Sequence, residues 1–266
     1  MAILLTYNDL KRMILSSMSC TEMYDNLVAD RPKIEIKIEY LRSKAIKELK
    51  KARKFPAVVT YKYKIPATLN EHIIYFFAES RFYVEKPTAN SFFPLFHNKS
   101  RYAITTNKAV HKSEGEFLLI KCIEAYSSHF FDRYNERFLK DNTLERNEII
   151  ALFLGRNKYF LHFEMNEDIN RNFEKYGTSG QLGSRIRDGY CFTDCEQFGV
   201  LCRDEILNQD VPKAVSKFYK TYINESDMHE SQTKAIKKGE LERRKSLIDR
   251  FGREKMKEMK QAFDRL

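Results

Sequence analysis

The sequence has no tryptophan, no run of about twenty apolar residues, no Cys-x-x-Cys pair and no glycine loop closed by Lys-Ser/Thr. The missing apolar run excludes a membrane-spanning helix. The opening MAILLTYNDL is apolar for five residues only and lacks a basic start and a cleavage site, so it is not expected to be a signal peptide. The five cysteines (20, 122, 191, 195 and 202) are an odd number, and with no export signal they are expected to be reduced thiols in a cytoplasm. Without close cysteine pairs, Cys191, Cys195 and Cys202, with Cys202 expected on the strand after the other two, read as small buried thiols rather than zinc ligands. No metal and no cofactor is expected. GTSGQLGSRIR is not a P-loop. Serine-hydrolase, kinase and dinucleotide signatures are absent, as are the acidic clusters of two-metal nucleases; Glu164, Glu167 and Asp168 carry no such pattern. The lack of tryptophan decides nothing about function.

What is present is a chain of 266 residues, 42% hydrophobic and 13% aromatic, enough for one large domain or two small ones with a real core. The formal charge of +10 is concentrated. Residues 33–54 hold nine Lys/Arg against three Glu, and residues 229–266 hold twelve against seven acids. Such segments suit a polyanion, with Lys47, Lys50, Lys51, Arg243 and Arg244 as the nucleic-acid contacts. The plainer alternative is solvated helix faces.

Periodicity gives the order of elements. NDLKRMILSSM has a helical face of Leu10, Met13, Ile14 and Met18, and a long helix is expected after Pro32. Period two then marks strands at 57–66, 72–86, 100–107 and 116–125, with KPTANSFFPLFHNKS as a loop. YKYK at 61–64 alternates aromatic and basic residues: either one face stacks bases and the other touches phosphate, or Tyr is buried and Lys solvated. Two helices follow, SSHFFDRYNERFLK capped by Ser127 or Ser128, and TLERNEIIALFLG capped by Thr143 and stopped by Gly155. Strands return at 158–165, 186–195, 197–206 and 213–223, with DCEQFG as a tight turn, before a charged helix. The fold class is therefore α+β, with four expected segments: helices at 1–56, an antiparallel meander at 57–125, a helix-plus-four-strand unit at 126–225 and a charged helix at 226–266. The two strand groups form two small sheets or one.

In SSHFFDRYNERF, Phe130, Tyr134 and Phe138 recur every four residues as a buried stripe, and His129, Arg133 and Arg137 run beside them. The ladder is either a surface rim, with Asp132, Glu136 and Asp141 pairing the arginines, or an anion site. A helix N-terminus disfavours a cation, which suits a histidine acting as general base, and guanidiniums clamp phosphate oxygens. This stretch resembles the His-x-x-x-Arg-x-x-x-Arg helix of small mobile-element proteins grouped with the barnase–EndoU–colicin–RelE ribonuclease-like fold. The resemblance covers residues 125–225. It implies that the helix packs on a four-stranded antiparallel sheet whose late strand, here FYKTYI, adds a hydroxyl or basic residue, Thr221 or Lys220.

The expected function is an intracellular protein that binds RNA or another phosphate-rich ligand, extending to metal-independent RNA cleavage as in a ribonuclease-like toxin or mobile-element protein. His129 would take the ribose 2′-hydroxyl proton, Arg133 and Arg137 would stabilise charge on phosphorus, and Thr221, Lys220 or Tyr190 would orient the phosphate. Gly180, Arg185 and Arg187 form a second phosphate-binding expectation. The alternatives are a non-catalytic nucleic-acid or protein-binding module, with the C-terminal helix taking a protein partner, and an element-encoded inhibitor that captures a host protein or a signalling nucleotide. Nothing in the sequence fixes the oligomeric state.

Overall fold

The structure, a computed structural model, describes residues 17–97, 100–113, 116–164, 167–174, 182–204 and 209–252. Leu10, Met13 and Ile14 of the expected helical face, the side chain of Met18, the stretch 175–181 with Gly180, the side chain of Arg243 and the charged tail beyond 252 lie outside what is described. Two helices come first, α1 (Ser17–Ala29) and α2 (Arg31–Leu49), the second with proline in its first turn as expected. The strands are β1 (Ala57–Lys64), β2 (Glu71–Ala78), β3 (Thr88–His97), β4 (Ser100–Ser113) and β5 (Glu116–Tyr126). Next come α3 (Ser128–Tyr134), whose last turn widens into a π-turn at Asn135–Leu139, and α4 (Arg146–Arg156). The chain closes with β6 (Leu161–Glu164), α5 (Glu167–Glu174), β7 (Leu182–Ile186), β8 (Gly189–Asp204), β9 (Gln209–Ile223) and α6 (Glu230–Phe251).

This is α+β. All described strands join one sheet in the order β1-β2-β3-β4-β5-β9-β8-β7-β6, antiparallel except where β5 runs parallel to β9. β3 joins the two parts of the sheet by changing partner midway: Thr88–Phe92 pairs with β2, and Phe93–His97 pairs with β4.

In the first part the sheet is covered on both faces. Ile74, Phe76 and Ala78 pack with Ile34, Ile38, Leu41, Ala45 and Leu49 of α2, while Ile73, Tyr75 and Phe77 pack with the aromatic side chains of α3 and α4. That explains why β2 is buried at seven consecutive positions instead of alternating. In the second part, α1 covers Ile104, Ile123, Ala125 and Ala214, and α3 covers Ala103, Tyr126, Tyr219 and Tyr222. Phe130, Phe153, Tyr126 and Tyr219 form the centre, with Tyr126 and Tyr219 stacked at 4.2 Å. α6 is docked through Ala235 and Ile236 onto Phe163, Ile169 and Phe192, so its first half is part of the core.

Five local expectations are corrected. Residues 86–100 are not a loop, because Phe92 and Leu95 are buried in β3; Pro94 falls in the half paired only with β4, where a missing N–H is tolerated. DCEQFG is not a turn. It lies inside β8, which carries register shifts at Phe192/Thr193 and Val200/Cys202, and Gly199 with φ +60 takes a left-handed residue into the strand instead of reversing it. Cys202 is consequently on the same strand as Cys191 and Cys195, not on the next one. The cap of α4 is Glu145, in a capping box with Glu148, while Thr143 bonds Asp141; and Gly155 does not stop the helix but lies in it, where a Cβ would come within 2.5 Å of the Phe77 ring.

Candidate functional site

The ladder residues are placed first. Ser127 caps α3 by accepting a hydrogen bond from the Phe130 N–H, and its hydroxyl donates to the Lys220 carbonyl, fixing the helix start on β9. Phe130 and Tyr134 are fully buried, and Phe138 is half-buried, stacked on Tyr134 at 5.3 Å. His129 is exposed. Arg133 pairs with Glu136 at 2.7 Å. Arg137 turns inward from the π-turn and donates to the Tyr222 carbonyl at 3.1 Å, while Asn224 donates to the Arg137 carbonyl. Asp132 pairs with Arg146 of α4 at 2.5 Å. Of the residues expected beside the ladder, Tyr190 and Thr221 are buried and Lys220 pairs with Asp194 at 2.5 Å. The arginines therefore tie α3 to itself and to β9.

A different set of cations converges elsewhere. A cleft of about 670 Å³ opens between the end of β2, the 81–88 segment, the end of α4 and the β7–β8 hairpin. Its charged walls are Lys86, Arg156, Lys158, Arg185 and Arg187 against one carboxylate, Glu79. Tyr83 and Tyr159 present partly exposed rings beside them, and Phe77, Gly155 and Ile186 form the floor. Arg187 holds Glu79 bidentately at 2.8 and 2.9 Å, but both side chains remain substantially open to solvent, so the pair is weak and exchangeable. Lys158 donates to the Thr88 hydroxyl at 3.2 Å. Arg185 lies 3.7 Å from Glu240 of α6. This brings together two residues expected from sequence, Arg185 and Arg187, with three that were not.

The cleft is anchored from behind by Asp188, which is 2% exposed at its side chain. Its carboxylate accepts from Arg156 at 2.7 and 2.8 Å, from the Tyr134 hydroxyl at 2.7 Å and from Asn157 at 3.0 Å. Its backbone N–H donates to Asn157, and its carbonyl accepts from the Tyr222 hydroxyl. Burial pushes the Asp188 carboxyl up, but the hydrogen bonds from Arg156 and Tyr134 outweigh it and hold the group below the ordinary carboxylate range. Burial, reinforced by Asp188, pushes the Tyr134 hydroxyl up, so it stays a donor. The Asp188 bonds raise the Arg156 guanidinium further, fixing a permanent cation in the cleft wall.

The other basic expectations are scattered. Lys47, Lys50 and Lys51 are exposed at the end of α2, where Lys50 pairs with Glu85 at 2.6 Å; Arg244 is exposed on α6. In β1, Tyr61 and Tyr63 pack under α2 while Lys62 and Lys64 face solvent. Burial pushes the Cys191 and Cys195 thiols up, Cys122 to about 12 and Cys20 to about 11. Among the described residues no group of three or more His, Cys, Asp or Glu could hold a metal ion, and no helix is long and apolar enough to cross a membrane.

Sequence reading passed over Glu79, Lys86, Arg156 and Asp188. One signal was available: Arg187-Asp188-Gly189 carries the Asp-Gly pair of a tight hairpin turn, which would have set Arg185 and Arg187 on a hairpin instead of at the end of a loop. The partners across the cleft come from a distant part of the chain and left no local mark. No family model, curated protein or solved structure matches this chain.

Proposed function

We propose that the protein binds RNA or another phosphate-rich ligand through the cleft between β2, α4 and the β7–β8 hairpin. The observation that carries this is the convergence of five cations on a concave surface with two partly exposed tyrosines and one carboxylate, Glu79, among the lining residues. Phosphate oxygens match the planar fork of Arg187 and the point charges of Lys86 and Lys158, while Arg156, whose Nε and Nη2 are held by Asp188, adds fixed positive charge to the wall. An incoming phosphate competes with Glu79 for Arg187, while Arg156 stays in place because Asp188 holds it. Tyrosine rings beside such cations suit the faces of unstacked bases, which favours a single strand over a duplex.

The test is binding of a fluorescent mixed-sequence single-stranded RNA, followed by anisotropy across a salt series. Arg187→Glu and Lys86→Glu are expected to weaken binding and to flatten its salt dependence by about one unit of slope for each phosphate no longer neutralised. Unchanged affinity and slope in both variants, with melting curves intact, would overturn the proposal. Loss of RNA cleavage in His129→Ala with binding retained would instead support the ladder as a catalytic centre.

A further inference from the structure

A second cavity, about 560 Å³, is lined by residues next to those of the cleft at the start of β3. Lys158 lines both. Its hydrogen-bond partner Thr88 belongs to the cleft, and the next residues of β3, Ala89 to Ser91, belong to the second cavity. The two spaces thus meet at the Lys158–Thr88 bridge.

The second cavity differs in chemistry. Its wall carries hydroxyls and amides, among them Thr105, Asn90 and Asn107, with the rings of Tyr126 and Phe160. On it lies the Glu124 side chain, 13% exposed. The protein satisfies this carboxylate poorly. Thr105 donates at 3.2 Å, and the Tyr126 and Tyr219 hydroxyls stand at 3.4 and 3.5 Å. The nearest cation, Lys217, is 4.0 Å away, and its ammonium lies 3.0 Å from His162 Nε2, whose Nδ1 is 2.8 Å from the Ser184 hydroxyl. Since an ammonium only donates, Nε2 accepts and Nδ1–H donates to Ser184. Lys217 is thereby turned partly away from Glu124. A mostly buried carboxylate with only long hydrogen bonds is costly unless donors arrive from outside the chain.

We propose that this cavity takes the nucleoside part of the ligand whose phosphates occupy the cleft, with Glu124 accepting its ribose hydroxyl or base N–H donors and the half-buried Phe160 ring meeting its face. The proposal rests on the phosphate-binding reading of the cleft and adds a ligand class to it: nucleotides, rather than polyanions at large. A phosphate at Lys158 places whatever is bonded to it at the mouth of the second cavity.

The experiment compares inorganic tripolyphosphate with ribonucleoside 5′-triphosphates, which share the phosphate chain and differ by the nucleoside, using calorimetry on the full chain. The parent is expected to bind at least one nucleoside triphosphate about tenfold tighter than tripolyphosphate, the difference one well-made set of polar contacts supplies. Glu124→Gln is expected to bring that ratio close to one and to leave tripolyphosphate affinity unchanged. Thr105→Val, at the same wall, is expected to reduce the ratio in the same direction and serves if Glu124→Gln melts early. Equal affinities for the two ligand types in the parent overturn the nucleoside compartment. So does a ratio that survives both variants. Tripolyphosphate binding that is absent, or that Arg187→Glu leaves intact, overturns the cleft reading itself and is told apart because it does not involve the ratio.

Discussion

On α3, Arg133 and Arg137 stand one helical turn apart and find partners within their own neighbourhood, a glutamate three residues on and a carbonyl of the strand beneath. In the cleft, Arg156, Arg185 and Arg187 come from two elements and face Lys86 and Lys158; Arg156 and Arg187 both reach Glu79, while Asp188 holds Arg156 from behind and Glu240 lies near Arg185. Regular spacing along a helix thus produced internal tethering, while irregular positions in the chain produced a concentrated positive field. Helix neighbours at four residues include both signs of charge here, Asp132 and Glu136 among them, and local pairing is the default outcome. A cation wall needs the like charges to come from elements that bring few acids with them.

The comparison can be broken most forcefully at its anchors. Asp188→Ala leaves the mostly buried Arg156 with only its 3.4 Å contact to Glu79 and removes the Tyr134 and Asn157 hydrogen bonds, and is expected to cost about 3–5 kcal/mol in urea unfolding. Phe130→Ala, on the stripe of α3, is expected to cost a similar 3–5 kcal/mol or so as a core truncation. Phe138→Ala, half-buried and stacked, should cost roughly half of that. Equal losses for the two phenylalanines would mean the π-turn closes further over Phe138 than its exposure indicates.

Binding separates the regions next. Arg187→Glu is expected to weaken single-stranded RNA binding about tenfold, or about 1.4 kcal/mol. Arg133→Lys should leave affinity within about twofold and change stability by no more than the roughly 0.2–0.5 kcal/mol of a helix-surface pair. The reverse pattern would make the ladder the anion site and the cleft a surface ion-pair cluster.

Acid sharpens the contrast between buried and exposed charge. His72 Nε2–H donates to the Asp30 carboxylate at 3.0 Å, and burial, only partly offset by Asp30, lowers its basicity below the ordinary 6.5. A folded-state value below the unfolded one means that stability is present above pH 6.5 and lost as pH falls through the folded value. Asp188, also lowered, adds a second loss in the carboxylate range. Urea midpoints measured downward from pH 6.5 should therefore fall, and His72→Gln should flatten the upper part of that decline.

Much of the fold was readable because its causes are local. Alternation in AVVTYKYK, Pro32 opening a helix and Ser127 capping another are set by side chains within a few residues of the effect. Errors came where a distant partner overrode the local signal. Pro94 reads as a breaker until β4 is known to lie on only one side of it, and Gly199 reads as a turn until the partner strand carries the chain through. The site divides the same way. Arg185 and Arg187 stood out in sequence, whereas Glu79 and Arg156 acquire meaning only because Asp188 joins the β7–β8 turn to the end of α4.

The parallel pairing of β5 with β9 also orders events in time. Lys121 must wait for Ala214, so the strands from β1 to β5 can zip into their meander before the sheet is completed, and this late, non-local closure is the slow kind. One wall of the cleft, with Glu79 and Lys86, belongs to the early half, and the other, with Arg185 and Arg187, to the late half. A chain stalled before closure would carry a finished meander and no cation wall, so the cleft is assembled only when folding has run to its end.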